Sequence, residues 1–328
     1  MRKTLVTGAA GFIGSHLVKR LLDEGRNIVA VDNFHRGNIQ NYLDLGIKLE
    51  CDNLDLTDNA QVAELFDLNE IDVVYHLAAR IGSIEYLHGN INNELATLQT
   101  NLLIDINVFK ACLESNVKKL IYASSISVYP IDLQKKIGSV FSEKDMKYAN
   151  PEGGYGWAKY IGEKQLNWMK NIDISIARIF NVYGELKPID ESSHVISRLI
   201  KNLINNEEEF SVWGSGEQTR CFLYISDCID ALLLLDENAT NPPLVINIGS
   251  EKPVSIMELA KKIVTISGRN LVIKHNYDKP IGPLSRTANI TKARNILNWE
   301  PKVDLEDGIK RTYKWAQKRL TIVDKNSE

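Results

Sequence analysis

The sequence predicts an α/β protein in which a doubly wound parallel sheet carries a smaller mixed α/β lobe. Three observations predict it: short apolar runs recurring along the first half, helical periodicity between them, and a glycine-rich turn directly after the first run. Leu5-Val6, Ile28 to Val31, Val73 to Leu77 and Leu120 to Ala123 are apolar without alternation, as strands buried on both faces are. Gly14 to Glu24, Asn59 to Asp67 and Asn101 to Ser115 show the spacing of amphipathic helices. Strands alternating with helices imply right-handed crossovers and helices on both faces of the sheet. Ile174 to Arg178 and Val245 to Ile248 read as later strands of the same sheet.

The texture changes after residue 183. Residues 1–183 form the first domain and 222–250 return to it, whereas 184–221 and 251–320, with Pro188, Pro253, Pro280, Pro283 and Pro301, form the second lobe. Glu207 to Glu209 read as a solvated loop, and the polar tail 321–328 as frayed.

Composition narrows the function. The 328 residues are 44% hydrophobic and 25% charged, which is ample for a core. A net charge of −3 gives no basic footprint for nucleic acid, so any phosphate must be met by local donors. Cys51, Cys112, Cys221 and Cys228 are scattered and contain no CxxC pair, which reads as reduced intracellular thiols. The opening Met1-Arg2-Lys3 leads straight into a strand with no signal-peptide core, and no apolar run approaches the roughly 18 residues of a membrane span. A cytoplasmic protein without membrane or nucleic-acid partners, and without a metal, is expected.

The turn Thr7-Gly8-Ala9-Ala10-Gly11-Phe12-Ile13-Gly14 closes the first strand and opens the first helix. Glycines there allow close approach of a pyrophosphate, and the helix N-terminus offers N–H donors and a positive dipole end. Asp32, at the end of the next strand, stands near the ~20-residue offset of an acid that accepts from an adenosine ribose. A carboxylate there repels a 2′-phosphate, so NAD is favoured over NADP, although Arg36 lies nearby. The first domain is therefore expected to be of the Rossmann type.

Tyr155 and Lys159 stand four residues apart in a helical stretch and so share one helix face. Bringing a phenol from pKa ~10 to neutrality takes roughly 4 kcal/mol. An ammonium at ~4 Å in an effective dielectric of ~20 supplies about that much. Tyr155 is thus expected to serve as general base and acid. Ser125, at the end of the strand Leu120 to Ala123, has the hydroxyl to orient a substrate oxygen, because catalytic groups gather at the carboxyl ends of parallel strands.

Taken together, TGAAGFIG (7–14), HLAAR (76–80), YASSISVYP (122–130), YGWAK (155–159), RIFNVYG (178–184) and WGSGEQTRCFLY (213–224) resemble the extended short-chain dehydrogenases/reductases of the nucleotide-sugar epimerase/dehydratase group. The resemblance runs from Met1 to about Lys318. It implies NAD held by Gly8, Gly11, Phe12, Ile13, Gly14, Asp32, Asn33, Asp52, Asn53, Leu77, Ala78, Ala79, Asn101, Tyr155 and Lys159, with Asp52 and Asn53 at the adenine. Ser125, Tyr155 and Lys159 take the catalytic roles. Arg80, Ser127, Asn181, His194, Arg220 and Arg286 meet a nucleotide diphosphate sugar. A homodimer is implied too, through the Asn101 and Tyr155 helices, with Leu102, Ile106 and Phe109 on one and Ile161, Leu166 and Trp168 on the other.

Within the group, dehydratases carry an acidic pair where this chain has Ile126 and Ser127, so 4,6-dehydration is not expected. The look of Ala78 to Leu87 and Tyr122 to Pro130 is that of GDP-mannose 3,5-epimerases, but those place a cysteine where Ser127 stands, and a serine does not ionise near neutrality. UDP-glucuronate decarboxylases carry an acidic motif after HLAA that Glu85 does not reproduce. NAD-dependent C4 epimerisation through a transient 4-keto sugar is therefore expected. The alternatives are a GDP-mannose 3,5-epimerase-like activity, a 4-keto sugar reductase, and a non-catalytic NAD-sensing regulator on the same fold. Substrate choice is expected to lie with residues 81–86 and 188–194.

Overall fold

The computed structural model describes residues 3–82, 90–146, 148–190, 193–205 and 210–325. The chain opens with β1 (Lys3–Thr7), α1 (Phe12–Asp23), β2 (Asn27–Asp32), α2 (Gln40–Asp44), β3 (Asp52–Asn53), α3 (Asn59–Leu68) and β4 (Val73–His76). It continues through α4 (Ile91–Glu114), β5 (Lys119–Ser125), β6 (Val140–Phe141), α5 (Gly153–Leu166), β7 (Asp173–Ile179) and β8 (Val182–Tyr183). The later part contains α6 (Val195–Ile204), β9 (Phe210–Trp213), β10 (Thr219–Cys221), β11 (Leu223–Tyr224), α7 (Ile225–Glu237) and β12 (Leu244–Ile248). It ends with β13 (Pro253–Ser255), α8 (Ile256–Ser267), β14 (Ile273–Asn276), β15 (Ser285–Ala288), α9 (Thr291–Leu297) and α10 (Leu305–Lys325).

Seven strands form one sheet in the order β12-β7-β5-β4-β1-β2-β3, every pair parallel. The order reverses direction at β1 and β4, which leaves a crevice beyond their carboxyl ends. The six apolar runs of the sequence are six of these strands. Their residues are buried because helices cover both faces: α1 and α7 pack together on one side, α3, α4 and α5 on the other. The seventh strand, β3, is two polar exposed residues, which no apolar run could announce.

Helix starts follow local chemistry. Asp58 caps α3 by accepting from the Ala60 and Gln61 N–H groups, and Asn90 caps α4 through Asn92 and Asn93. Ser255 and Glu258 form a full capping box on α8. The α4 helix is longer than its apolar spacing suggests, because it begins with the polar stretch after Asn90.

The second lobe contains a sheet of order β13-β10-β15-β6 and the two-stranded β14-β9 pair. β6 lies inside the 1–183 stretch yet pairs with β15 through Val140 and Phe141, so the chain visits this lobe once more than expected. Of 222–250, β12 pairs with β7 in the large sheet and α7 packs on β5 and β7, while β11 pairs with β8 in a separate two-stranded sheet. The tail expected to fray continues as α10 to Lys325, since Leu305 starts a helix whose Ile309 and Ala316 are buried. Glu207 to Glu209 lie outside the described residues, as do 83–89 with Glu85, and 191–192 of the stretch expected to decide substrate choice.

The helix α5 is tied down from three sides. The Glu163 carboxylate accepts both Arg178 guanidinium N–H groups, at 2.9 and 2.7 Å, and the Ser124 hydroxyl at 2.6 Å. Its first turn receives the Glu94 carboxylate on the Gly154 N–H at 2.5 Å. Gly156 lies so close to the Ser127 carbonyl oxygen that a side chain there would overlap it, which brings the helix against the Ile126–Val128 3-10 turn.

Breaking a buried pair from one side leaves an uncompensated charge, which costs about 3–5 kcal/mol. Glu163→Gln is accordingly expected to lower urea-unfolding stability by about that much, while Lys110→Ala, in an exposed i,i+4 pair, stays within ~0.5 kcal/mol. Acid has its own effect through His76, whose pKa burial holds below the ordinary histidine value. The unfolded chain takes up that proton near pH ~6.5 and the folded one does not, so stability is full above this pH and falls as pH drops through it. Thermal melts between pH 7.5 and 5.5 should show the decline, and His76→Gln should reduce its slope.

Candidate active site

A cavity of about 600 Å³ opens beyond the carboxyl ends of β1, β2, β4 and β5, between the large sheet and the second lobe. That size suits a small-molecule site. One wall is the turn between β1 and α1: Gly8, Gly11, Phe12, Ile13 and Gly14 all line it. A side chain at Gly14 would collide with the Gly8 carbonyl oxygen, so the turn closes only around glycine. Asp32 and Asn33 follow at the end of β2. The Asp32 carboxylate accepts from the Ala10 N–H at 3.0 Å and the Phe34 N–H at 2.8 Å, and burial nonetheless raises its pKa.

Leu77, Ala78, Ala79 and Arg80 form the next stretch of wall. The Leu77 and Ala78 N–H groups both donate to Thr7 Oγ1 at 3.2 Å, which bends the chain as it leaves β4. Two sequence expectations are corrected here. Asn101 does not line the cavity. Its amide accepts from the Arg80 N–H at 2.8 Å and donates to the Arg80 and Thr97 carbonyls, so it braces the wall from behind. Asp52 and Asn53 form β3 beside Val31 and Asp32, with exposed side chains, and are not among the residues that line the cavity. The chain passes the strand end only afterwards, and Leu54, Asp55, Leu56 and Thr57 take the place expected for them. The signal lay in Asp58: a helix cap there puts the strand-to-helix turn at 54–57.

Ser125, Tyr155 and Lys159 come together on the far wall. Ser125 ends β5, and its Oγ accepts from the Ser127 N–H at 3.2 Å. Tyr155 and Lys159 lie one turn apart on α5, both buried. The lowered phenol pKa expected from the spacing is not what the protein alone provides. Burial pushes the Tyr155 pKa up, against a lowering hydrogen bond from Ser125. Burial likewise pushes the Lys159 pKa down, opposed by Asp105 and Glu163. Sequence spacing could show that the two side chains meet, but not that both would be dry.

The second lobe supplies the opposite wall. Asn181, whose backbone sits at φ 29°, donates to the Cys221 carbonyl at 3.0 Å. Arg220 is buried, and desolvation together with the Arg286 charge pulls its pKa to about 9. Arg286 ion-pairs with Glu152 and donates to Gln134 Oε1 at 2.9 Å. Glu152 in turn accepts the Ser127 hydroxyl at 3.1 Å. His194 lines the cavity, and desolvation, followed by the charges of Lys187, Arg36, Arg286 and Arg198, holds its pKa well below the ordinary value. Sequence reasoning missed Glu152, Lys187, Arg198, Trp213 and Gln218. Only Glu152 had a local signal, three residues before Tyr155 at the mouth of the same helix.

The residues present fit a dinucleotide. Among the described residues, the buried Lys159 Nζ has no hydrogen-bond partner, and a buried ammonium is costly unless a ligand oxygen meets it. Gly8, Gly11 and Gly14 face the cavity at the N-terminus of α1, where backbone N–H groups suit a pyrophosphate.

Comparison with known proteins agrees. Residues 4–249 match the model of the NAD dependent epimerase/dehydratase family. Over 323 residues the chain is 29% identical to GDP-mannose 3,5-epimerase 1 of Oryza sativa subsp. indica, covering 96% of this chain and 82% of that protein. It superposes with a TM-score of 0.86 on the UDP-glucose 4-epimerase of Thermotoga maritima, at 27% identity and covering 97% and 99% of the two chains. The UDP-glucuronic acid 4-epimerase of Bacillus cereus, solved with UDP-glucuronic acid and NAD, gives a TM-score of 0.84 at 31% identity over the same shares. With a matching sequence model across three quarters of its length and a cavity shaped for a dinucleotide, the chain belongs to the NAD-dependent epimerase/dehydratase family.

Proposed function

We propose that the protein inverts C4 of a nucleoside diphosphate sugar, with Tyr155 as acid and base. The observation that carries this reading is the convergence of Ser125, Tyr155 and Lys159 on one cavity with the glycine turn. Gly8 to Gly14, Asp32 and Lys159 would hold NAD, which when bound supplies a hydride acceptor and a positively charged ring beside Tyr155. Tyr155 takes the proton of the 4-hydroxyl, and Ser125 holds that oxygen as its charge develops. Arg220, Arg286 and Asn181 anchor the diphosphate, so the 4-keto sugar can turn over on a fixed pivot. Tyr155 then returns the proton to the inverted alcohol.

Among the described residues, Glu152 is the acid that contacts Ser127 and could favour C3/C5 chemistry. Its ion pair with Arg286 and the Ser127 hydroxyl both stabilise the carboxylate, which makes it a poor base. The C4 reading is therefore preferred. In heavy water with UDP- and GDP-hexoses and uronates, C4 inversion leaves carbon-bound hydrogens unexchanged and needs no added NADH. Deuterium at C3 or C5 would carry the 3,5-epimerase alternative, stoichiometric NADH use the reductase, and bound NAD without any turnover the sensor. Tyr155→Phe should lose at least about 100-fold in kcat while still binding NAD.

The Lys187 ammonium, brought to about 8 by burial and the Arg36 charge, adds to the cationic wall only while protonated. The KM for the nucleotide sugar should therefore rise several-fold as pH passes from 7 to 9, and Lys187→Met should flatten that rise with kcat little changed.

We further propose a homodimer through the outer faces of α4 and α5. Leu95, Leu103, Ile106 and Leu113 are exposed on α4, as are Trp157 on α5 and Trp168 just beyond its C-terminal end. Phe109 and Leu166, expected in that interface, are instead buried within the chain. No described helix is long and apolar enough to cross a membrane.

A further inference from the structure

Behind the cavity lies a second polar group that the proposed reaction does not use. Asp105, fully buried on α4, accepts from His76 Nε2 at 3.0 Å and from the Tyr122 hydroxyl at 2.5 Å. The tautomer of His76 follows from Thr7. Its hydroxyl oxygen already accepts the Leu77 and Ala78 N–H groups, so its own hydrogen goes to His76 Nδ1 at 2.7 Å and leaves Nε2–H to donate to Asp105. Both contacts of Asp105 are therefore to neutral groups.

The buried ammonium of Lys159 interacts with this carboxylate. Its Nζ sits 4.4 Å from the centre of the Tyr122 ring, and the hydroxyl at the far end of that ring is the one bound to Asp105. Gly162, three residues beyond Lys159, lies so near the carboxylate that an added methyl would stand 2.7 Å from Asp105 Oδ2. The titratable groups around the ammonium are Tyr155 and Glu163 on its own helix, Asp105 on α4, Tyr122 on β5 and His76 on β4. The charge of Glu163 is matched by Arg178. That leaves a buried carboxylate at the hydroxyl end of the Tyr122 ring and a buried ammonium over its face.

We propose that Asp105 is the counter-ion that keeps Lys159 protonated inside this dry site, and that it is a positioning residue acting through Lys159 on the proton transfer at Tyr155. A lysine buried without an opposite charge gives up its proton readily. A neutral amine would neither favour the Tyr155 phenolate nor offer the full set of donors to a ligand oxygen. Asp105 also acts on Tyr155 directly and in the opposite sense, since its negative charge disfavours the phenolate. The net benefit therefore depends on the ammonium standing nearer to Tyr155 than the carboxylate does.

The proposal rests on the reading of Tyr155 as acid and base, and the test separates the two. Asp105→Asn keeps the size of the side chain and an acceptor for His76 while removing the charge. In the NAD-loaded protein, the alkaline limb of the kcat–pH profile is expected to move toward acid by about one unit, as loss of a nearby opposite charge dictates. Tyr122→Phe removes a hydrogen bond from Asp105 but not its charge, so it should lower thermal stability and leave the limb in place. A uniformly lowered profile with an unmoved limb in Asp105→Asn would overturn the proposal, as would an equal displacement in both variants. A second measurement needs neither turnover nor a variant of Asp105. In protein labelled at the lysine side chains, the resonance of Lys159, assigned by its loss in Lys159→Arg, should titrate as an ammonium still charged at pH 8. A neutral amine at that pH with Asp105 intact overturns the proposal. Absence of activity on every nucleotide sugar would sink only the functional reading, because the titration does not depend on it.

Discussion

The structure depends on how one helix is held against the ends of the central strands. The carboxylate of Glu163 bridges Arg178 on β7 and Ser124 on β5, so α5 cannot slide without stripping a buried charge of its partners. The first turn of α5 meets the 3-10 turn after Ser125 across Gly156, where only a hydrogen atom fits between the backbones. These two restraints set the position of Tyr155 relative to Ser125 to within the slack of a single packed contact. A general base needs that accuracy, since proton transfer takes place only within hydrogen-bond reach.

Dryness is the other side of the same arrangement. The groups proposed for acid–base work are buried in the free protein, and burial moves the tyrosine and the lysine toward their neutral forms. Charge in the site must then come from what enters it and from what stands behind it. The lobe opposite is built the other way: burial and the Arg286 charge lower the pKa of Arg220, and burial and the Arg36 charge lower that of Lys187. Crowded cations are unfavourable alone and relax when an anion enters, so the empty wall already leans toward a diphosphate.

Much of this was legible in the sequence because it rests on short-range rules. Apolar runs gave the strands of the sheet, and four-residue spacing put Tyr155 and Lys159 on one face. The glycine turn is local too, since Gly14 answers to the backbone of Gly8 six positions away. What the sequence did not reveal depends on distant partners. Strand β3 has no hydrophobic signature, so nothing in the sequence announced that Asp52 and Asn53 extend the sheet beside Asp32. Asn101 looked like a cofactor contact and proved to be a brace, because its partner is the backbone of Arg80. Glu152 gains its place from Arg286, 134 positions away, and no spacing rule spans that distance. The upward shift of Tyr155 has the same origin: solvent exclusion is made by the whole fold.

The small sheet draws one of its strands, β6, from between β5 and α5, and the others from far downstream. This lobe therefore has no continuous stretch of chain to call its own and could not be cut out as a fragment. During synthesis, Val140 and Phe141 must wait for residues 285–288 to emerge before they find their neighbours. Closing so long a loop makes the lobe a late event in folding. The surface that receives the sugar would thus be completed last, on a dinucleotide-binding half whose sheet is already largely assembled.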